Sequence, residues 1–319
     1  MGKRERKISR FIERWITEQG AGTVEYVIVV LVAIVIGSGL LAFGNQVSGQ
    51  VTKTGNSISN WFSKANGTGG TGGGNAGGGN SGTDSRIDEL KEKDPADWTL
   101  DDQKAVAEDI GKKGNSSELY AKAKDAMDTG TTWSITLTDG KTMTYRIIGI
   151  DHDDLADGSG KAGLTFEATN DALGKQDINA NNTNAGGWEG SELRSRLNSG
   201  DLWSLLPTEL QSKVKSVKKL TDNKIDDSPR TPSATTDKAF LLSSTEVYGD
   251  LQSDGTQYEY YKSKDVTSSN YSGASSSFYR WTRSVAQFGD KEFRCIFGEM
   301  GWGLCDARGT NCVLPAFCF

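Results

Sequence analysis

Histidine is almost absent from this chain of 319 residues, which contains only His152. A zinc site that needs two histidines is therefore excluded, and a Ser-His-Asp arrangement would have to use this one residue. The sequence is also short of positive charge, with a formal net charge of −6. Because an acidic chain without a basic, aromatic-rich patch repels phosphates, we expect no nucleic-acid partner.

Charge is missing altogether from residues 26–52, and most of the side chains there are apolar. As a helix, residues 26–47 would span about 33 Å at 1.5 Å per residue, which is enough to cross a bilayer. Residues 1–19 carry more basic than acidic side chains. This excess predicts a precursor in the cytoplasmic membrane, with its N terminus inside and the C-terminal part outside.

Glu25 lies at the start of this apolar run, where an unpaired carboxylate costs at least a few kcal/mol. A glycine, four residues, then Glu25-Tyr26 and an apolar helix resembles the processing site of Flp-type (tight-adherence, type IVb) prepilins. The resemblance implies that a prepilin peptidase cuts between Gly20 and Ala21. It also implies that Glu25 and Tyr26 take part in assembly with other pilin subunits. The alternative is a membrane anchor that is never cut.

Composition divides the chain into four parts. We predict a leader over residues 1–20 and a transmembrane pilin helix over 21–64. A linker rich in Gly, Asn, Ser and Thr follows over 65–86, and such a composition gives a flexible coil. Residues 87–319 form the last domain, with two short helices before a core at 130–319.

The last domain has the pattern of an α+β fold. Thr99 followed by Asp102 predicts a helix start, and Asn115 with Glu118 predicts another. Alternating apolar residues around Asp139-Gly140 predict a β-hairpin. A strand at 164–168 and a helix at 191–197 follow.

This domain also resembles a bacterial surface domain family of unknown function, which implies a C-type-lectin-like fold. The motifs that carry the resemblance are residues 147–158, 160–166, 182–188, 236–243, 258–261, 281–284 and 314–318. They cover about residues 130–319 and imply a domain that is displayed outside the cell.

Two neighbouring motifs, one rich in aspartate and one rich in glycine, raise the question of ligand binding. Asp151, Asp153, Asp154 and Asp157 offer several hard oxygen ligands, so low-affinity Ca²⁺ is one prediction, although no cofactor is required. The alternative is that these aspartates cap turns. Residues 158–163 satisfy G-x-G-x-x-G, but a strand pattern follows instead of a helix, so we exclude nucleotide binding.

All four cysteines lie in the last 25 residues. We predict two disulfides among Cys295, Cys305, Cys312 and Cys318, with three connectivities open. Lectin-like folds include formylglycine-generating oxidases that use a cysteine pair, so an enzyme of that kind is an alternative. It would require free thiols.

Aromatic residues concentrate late in the chain, and exposed Tyr and Trp make good contact residues. We select Tyr260, Tyr261, Tyr271 and Trp302 as ligand-binding candidates. The sequence predicts a non-enzymatic minor or tip pilin of a tight-adherence-type pilus at the cell surface. Its lectin-like domain would adhere to an extracellular glycan or protein. The alternative is a membrane-anchored binding protein outside any filament.

Overall fold

The computed structural model describes residues 81–223, 232–251, 253–274 and 279–319. The predicted leader, the predicted pilin helix and residues 65–80 of the predicted linker lie outside the described residues. So do the predicted processing residues, Gly20 and Ala21, and the predicted assembly residues, Glu25 and Tyr26. The described part belongs to a structural unit that runs from Gly78 to Phe319.

Among the described residues, three helices precede the first strand, and five short helices follow later. They are α1 (Ser81–Glu92), α2 (Leu100–Lys113), α3 (Tyr120–Thr129), α4 (Glu192–Asn198), α5 (Asp201–Leu205), α6 (Thr208–Gln211), α7 (Ser244–Tyr248) and α8 (Glu259–Lys262). Because α1 begins at Ser81, residues 81–86 are helical, and the predicted linker extends too far in this direction.

The strands form two five-stranded sheets and a two-stranded ribbon. They are β1 (Thr132–Thr136), β2 (Thr142–Ile150), β3 (Leu164–Ala168), β4 (Lys175–Gln176), β5 (Val217–Thr221), β6 (Ser233–Asp237), β7 (Ala239–Phe240), β8 (Tyr279–Val285), β9 (Glu292–Phe297), β10 (Trp302–Asp306), β11 (Asn311–Cys312) and β12 (Ala316–Cys318).

Local sequence signals account for the start of α2 and for the hairpin. Thr99 and Asp102 form the predicted capping box at the start of α2. Helix α3 begins after Leu119 without a side-chain cap, so the predicted start at Asn115 is wrong by several residues. The predicted hairpin is confirmed as β1 and β2, and Gly140 adopts φ 86° in the turn, a conformation that favours glycine.

The first sheet has the strand order β1-β2-β3-β12-β7, and the second has β10-β9-β8-β11-β4. The last strand of the chain, β12, lies between β3 and β7 in antiparallel pairing. The neighbouring segment β11 pairs with β8 in parallel in the other sheet. The last residues of the chain therefore join both sheets.

An aromatic cluster fills the core beside the first sheet. Phe166, Phe317 and Tyr145 are fully buried, with ring centroids 5.5–5.6 Å apart. Trp133 contacts Phe166 at 6.1 Å and stacks on Trp98 at 6.2 Å, which fixes the segment before α2 to the sheet. Such contacts add to the free energy of burying each ring.

The predicted fold class needs a correction. Its α+β part holds for the described C-terminal domain, where helices and mostly antiparallel strands are mixed. Among the described residues, no helix has the length and apolar character that a membrane span requires. The architecture of the described residues is therefore an α+β domain, and the transmembrane helix that the predicted fold class included is not found among them.

Candidate binding surface and buried charge clusters

The four aspartates that suggested a calcium site have different environments and different partners. Asp154 and Asp157 are exposed; Asp154 pairs with Lys161 at 3.1 Å, and Asp157 accepts hydrogen bonds from the amide and hydroxyl of Ser159. Burial raises the pKa of Asp151, whose backbone is left-handed at φ 53°. Within the described ranges, no cluster of three or more His, Cys, Asp or Glu side chains is arranged to hold a metal ion. The predicted Ca²⁺ site is therefore not formed.

Asp153 instead belongs to a buried cluster of alternating charge, which we call the Lys219 cluster: Asp153, Lys219, Glu246 and Arg283. Lys219 Nζ lies 2.6 Å from Asp153 Oδ1 and 2.6 Å from Glu246 Oε1. Arg283 Nη2 donates to Glu246 Oε1 at 2.8 Å. All four side chains are at most 4% exposed.

Burial alone would raise the pKa of Asp153, but the facing Lys219 ammonium holds it well below its ordinary value. Burial would lower the pKa of Lys219, yet the carboxylates of Asp153 and Glu246 raise it. All four groups are therefore charged at neutral pH. The four residues of the cluster come from the loop after β2, from β5, from α7 and from β8. The cluster therefore connects the two-stranded ribbon to the second sheet.

A cavity of about 190 Å³ opens beside the Lys219 cluster. Asp153 also accepts hydrogen bonds from Thr165 Oγ1 at 2.6 Å and from the Tyr258 hydroxyl at 2.9 Å. Each charge already has protein partners, so the cluster positions structural elements and does not present a reactive group. His152, beside the cavity, stacks on Tyr258 at 4.2 Å and bonds to Glu259.

A second buried cluster contains two of the predicted ligand-binding residues, Tyr260 and Tyr261. Tyr260 lies beneath the Arg146 guanidinium, 4.0 Å from ring centroid to Cζ, and Tyr261 donates to the buried Glu167. Arg280 bonds to both Glu167 and the Tyr261 hydroxyl. Tyr260 and Tyr261 are 7% and 0% exposed. The prediction that they form a surface is wrong, because the short helix α8 turns both rings inward.

The cysteines form one disulfide instead of two. Cys295 and Cys305 are bonded across β9 and β10, whereas Cys312 and Cys318 are free and buried. Burial raises the pKa of both thiols, most strongly for Cys318, whose Sγ lies 3.3 Å from Thr165 Oγ1. Both thiols therefore stay protonated, and they lack the thiolate character that a reactive cysteine pair needs.

Tyr271 and Trp302 are brought together at the start of β10. Trp302 is 39% exposed, and Tyr271 is half-buried. A side-chain carbon at Gly301 would lie only 3.0 Å from the Tyr271 ring, so glycine allows this ring to pack against the chain next to Trp302. These are the two aromatic candidates that remain at the surface.

Tyr271 and Trp302 belong to a mostly apolar area that we call the β10 surface. Its residues are Tyr271, Arg294, Met300, Trp302 and Leu304. Trp302 and Leu304 point to the same face of β10 because side chains alternate along a strand. Leu304 is 46% exposed and Met300 is 63% exposed. Arg294 of β9 is buried and places its guanidinium 4.6 Å from the Trp302 ring centroid, which supports the indole from one side.

The opposite face of the same two strands holds the surface in place. Gly303 pairs with Cys295, and the disulfide lies on the face away from Trp302. Phe297 fills the space where a side chain at Gly303 would lie. The predicted ligand-binding residues did not include Arg294, Met300 or Leu304; the alternation Trp302-Gly303-Leu304-Cys305 is the signal that could have identified an exposed strand face.

Comparison with known proteins gives one match. Residues 162–319 match the model of a family described as a domain of unknown function (DUF6273). No curated protein and no solved structure matches the chain. The matched range begins just before β3 and includes the β10 surface and most of both buried charge clusters, whereas Asp153 and Arg146 precede it. This part of the chain is therefore similar to a family whose description carries no activity.

Proposed function

We propose that this chain is a non-enzymatic subunit of a tight-adherence-type pilus. Its α+β domain would adhere to an extracellular glycan or protein through the β10 surface. The observation that carries the adhesion part is the exposure of Trp302, Leu304 and Met300 on one end of a disulfide-linked strand pair.

The β10 surface has the features of a protein contact site. Its central indole is already stacked on a buried guanidinium, so little side-chain freedom is lost when a ligand covers the outer face. Aromatic and arginine side chains at the centre of a contact carry much of the binding free energy. Because β10 is an edge strand, a ligand can approach it without displacing another strand.

The pilus part is supported by the N-terminal sequence. Gly20, Ala21, Glu25 and Tyr26 have the spacing of a Flp-type prepilin processing site. Residues 65–80, which are almost wholly small and polar, would separate a filament subunit from its displayed domain. A large domain on every subunit would crowd a thin filament, so we propose a minor or tip position.

Trp302→Ala in the full-length chain tests the adhesion site. We expect a loss of about 2 kcal/mol of binding free energy, or roughly thirtyfold in affinity, because the indole is the centre of the surface. The measurement is binding of the purified chain to a glycan and protein array, followed by titration of the selected ligand.

Phe288→Ala is the matched control, because Phe288 is 68% exposed but lies on the turn between β8 and β9. The control should bind as the unmodified chain does. Equal loss in both variants, or no loss in Trp302→Ala, would place adhesion elsewhere.

A further inference from the structure

A cavity of about 370 Å³ lies between α2, the loop that precedes β3, and Phe319, which follows β12. This volume is within the usual range for small-molecule sites. Ala107, Leu155, Ala162 and Phe319 contribute apolar walls, and Lys112, Lys161 and Lys215 contribute positive charge. The cavity shares no residue with the β10 surface.

Close backbone packing shapes this cavity. A side-chain carbon at Gly163 would lie 1.9 Å from the Ala107 carbonyl oxygen, so only glycine allows α2 to approach the loop. A side-chain carbon at Gly111 would lie 3.1 Å from the Lys161 carbonyl oxygen. The walls are therefore held by backbone contacts, and we expect the cavity to be formed before a ligand arrives.

The glycine-rich loop 158–163 forms one wall, and three of its backbone amides already donate hydrogen bonds to protein acceptors. Gly158 N donates to Leu155 O at 3.1 Å, and Ser159 N donates to Asp157 Oδ1 at 2.9 Å. Ala162 N donates to Asp153 O at 2.9 Å. An anion in the cavity would therefore bind to the lysine side chains rather than to a phosphate-binding loop.

The lysines differ in how far they are neutralised. Lys161 pairs with Asp154 at 3.1 Å and donates to His152 O at 2.8 Å. Glu108, the acidic residue at the rim, is 3.6 Å from Lys104. Lys112 and Lys215 are exposed and form no ion pair among the described residues, although the exposed Asp157 carboxylate is near enough to Lys215 for their charges to interact. The lining itself therefore carries three lysines and one glutamate.

We propose that this cavity is a second binding site, for a small organic anion of the size of a sugar acid or a sugar phosphate. The apolar walls contact the carbon face of the ligand, and Lys112 and Lys215 bind its carboxylate or phosphate. An ammonium pairs with either anion as a point charge, so the two anion types are separated by experiment.

The test is calorimetric titration of the full-length chain with four probes: glucuronate, glucose 6-phosphate, glucose and inorganic phosphate. We expect saturable binding of at least one of the two anionic sugars, tighter than glucose and tighter than inorganic phosphate. The better of the two identifies the anion that the lysines prefer. Absence of saturable binding by both anionic sugars, or equal binding of glucose or inorganic phosphate, would overturn the proposal.

Variants assign the binding to this cavity. Lys112→Glu with Lys215→Glu should weaken binding of the anionic sugar at least about tenfold, because two charge-assisted contacts are lost. Lys291→Glu makes the same kind of charge change at an exposed position on the turn between β8 and β9, and it should bind normally. Unchanged binding in the double variant would overturn the site, and its far-ultraviolet circular dichroism shows whether it is folded. Trp302→Ala should leave this binding unchanged, which separates the site from the proposed adhesion surface.

Discussion

Asp153 and Lys219 face each other where solvent does not reach, and each depends on the other's charge. Removing one partner of a buried ion pair leaves a charge without its compensation, at a cost of about 3–5 kcal/mol. We therefore expect Asp153→Ala to lower the free energy of unfolding by about this amount, measured by urea denaturation. Asp154→Ala removes a neighbouring, exposed carboxylate and should cost at most about 1 kcal/mol.

The same cluster predicts the response to acid. The pKa values of Asp153 and Glu246 are both lowered in the folded protein. A lowered carboxyl pKa contributes stability above the unfolded value, about 4, and that stability is lost as the pH falls further. Melting temperatures from pH 7 to pH 3 should therefore fall in the acid range. The fall should be smaller in Asp153→Ala, and an equal fall would contradict this assignment.

At the scale of elements, the disulfide between β9 and β10 holds an edge strand. It closes a loop of sequence separation 10. A loop of this length corresponds to about 2–3 kcal/mol of stabilisation of the folded state. Replacing both Cys295 and Cys305 with Ser should lower the free energy of unfolding by this amount and speed hydrogen exchange over residues 302–306. Mild reduction of the unmodified chain should reproduce both effects, whereas the double variant should not respond to reductant.

Helix α2 depends on one glycine in the loop before β3. Gly163→Ala would place a carbon against the Ala107 carbonyl and should cost about 2–3 kcal/mol, because backbone must shift. Gly158→Ala meets no atom within 4 Å and carries only the strain of φ 76°, about 1 kcal/mol. Thermal unfolding of the two variants compares a steric cost with a purely conformational one; equal losses would contradict the close-packing argument.

The positions of helices and strands could be predicted from the sequence where they depend on local features. The capping box at Thr99, the hairpin around Gly140, β3 and α4 were all predicted, because caps, turn residues and alternation act over a few residues. The disulfide pairing was not predictable, because it depends on strand neighbours. Cys295 and Cys305 share a hairpin, whereas Cys312 and Cys318 lie in different sheets.

At the scale of the whole molecule, the proposed pilus role predicts processing and assembly. The exported chain should begin at Ala21, as read by N-terminal sequencing. Glu25→Ala should be processed but excluded from sheared surface filaments, because the carboxylate would no longer pair with a neighbouring terminal amine. Glu5→Ala is the control, since its change is removed with the leader. An exported chain that begins at Met1 would end the pilus proposal.

The sequence by itself determined the α+β character of the C-terminal domain, the start of helix α2 and the hairpin. These features follow from residue periodicity, caps and turns, which are local. Only the tertiary structure decided which polar and aromatic side chains are buried. Asp153 became part of an ion cluster and Tyr261 a core residue, while Trp302 stayed at the surface, because burial depends on which distant segments meet each side chain.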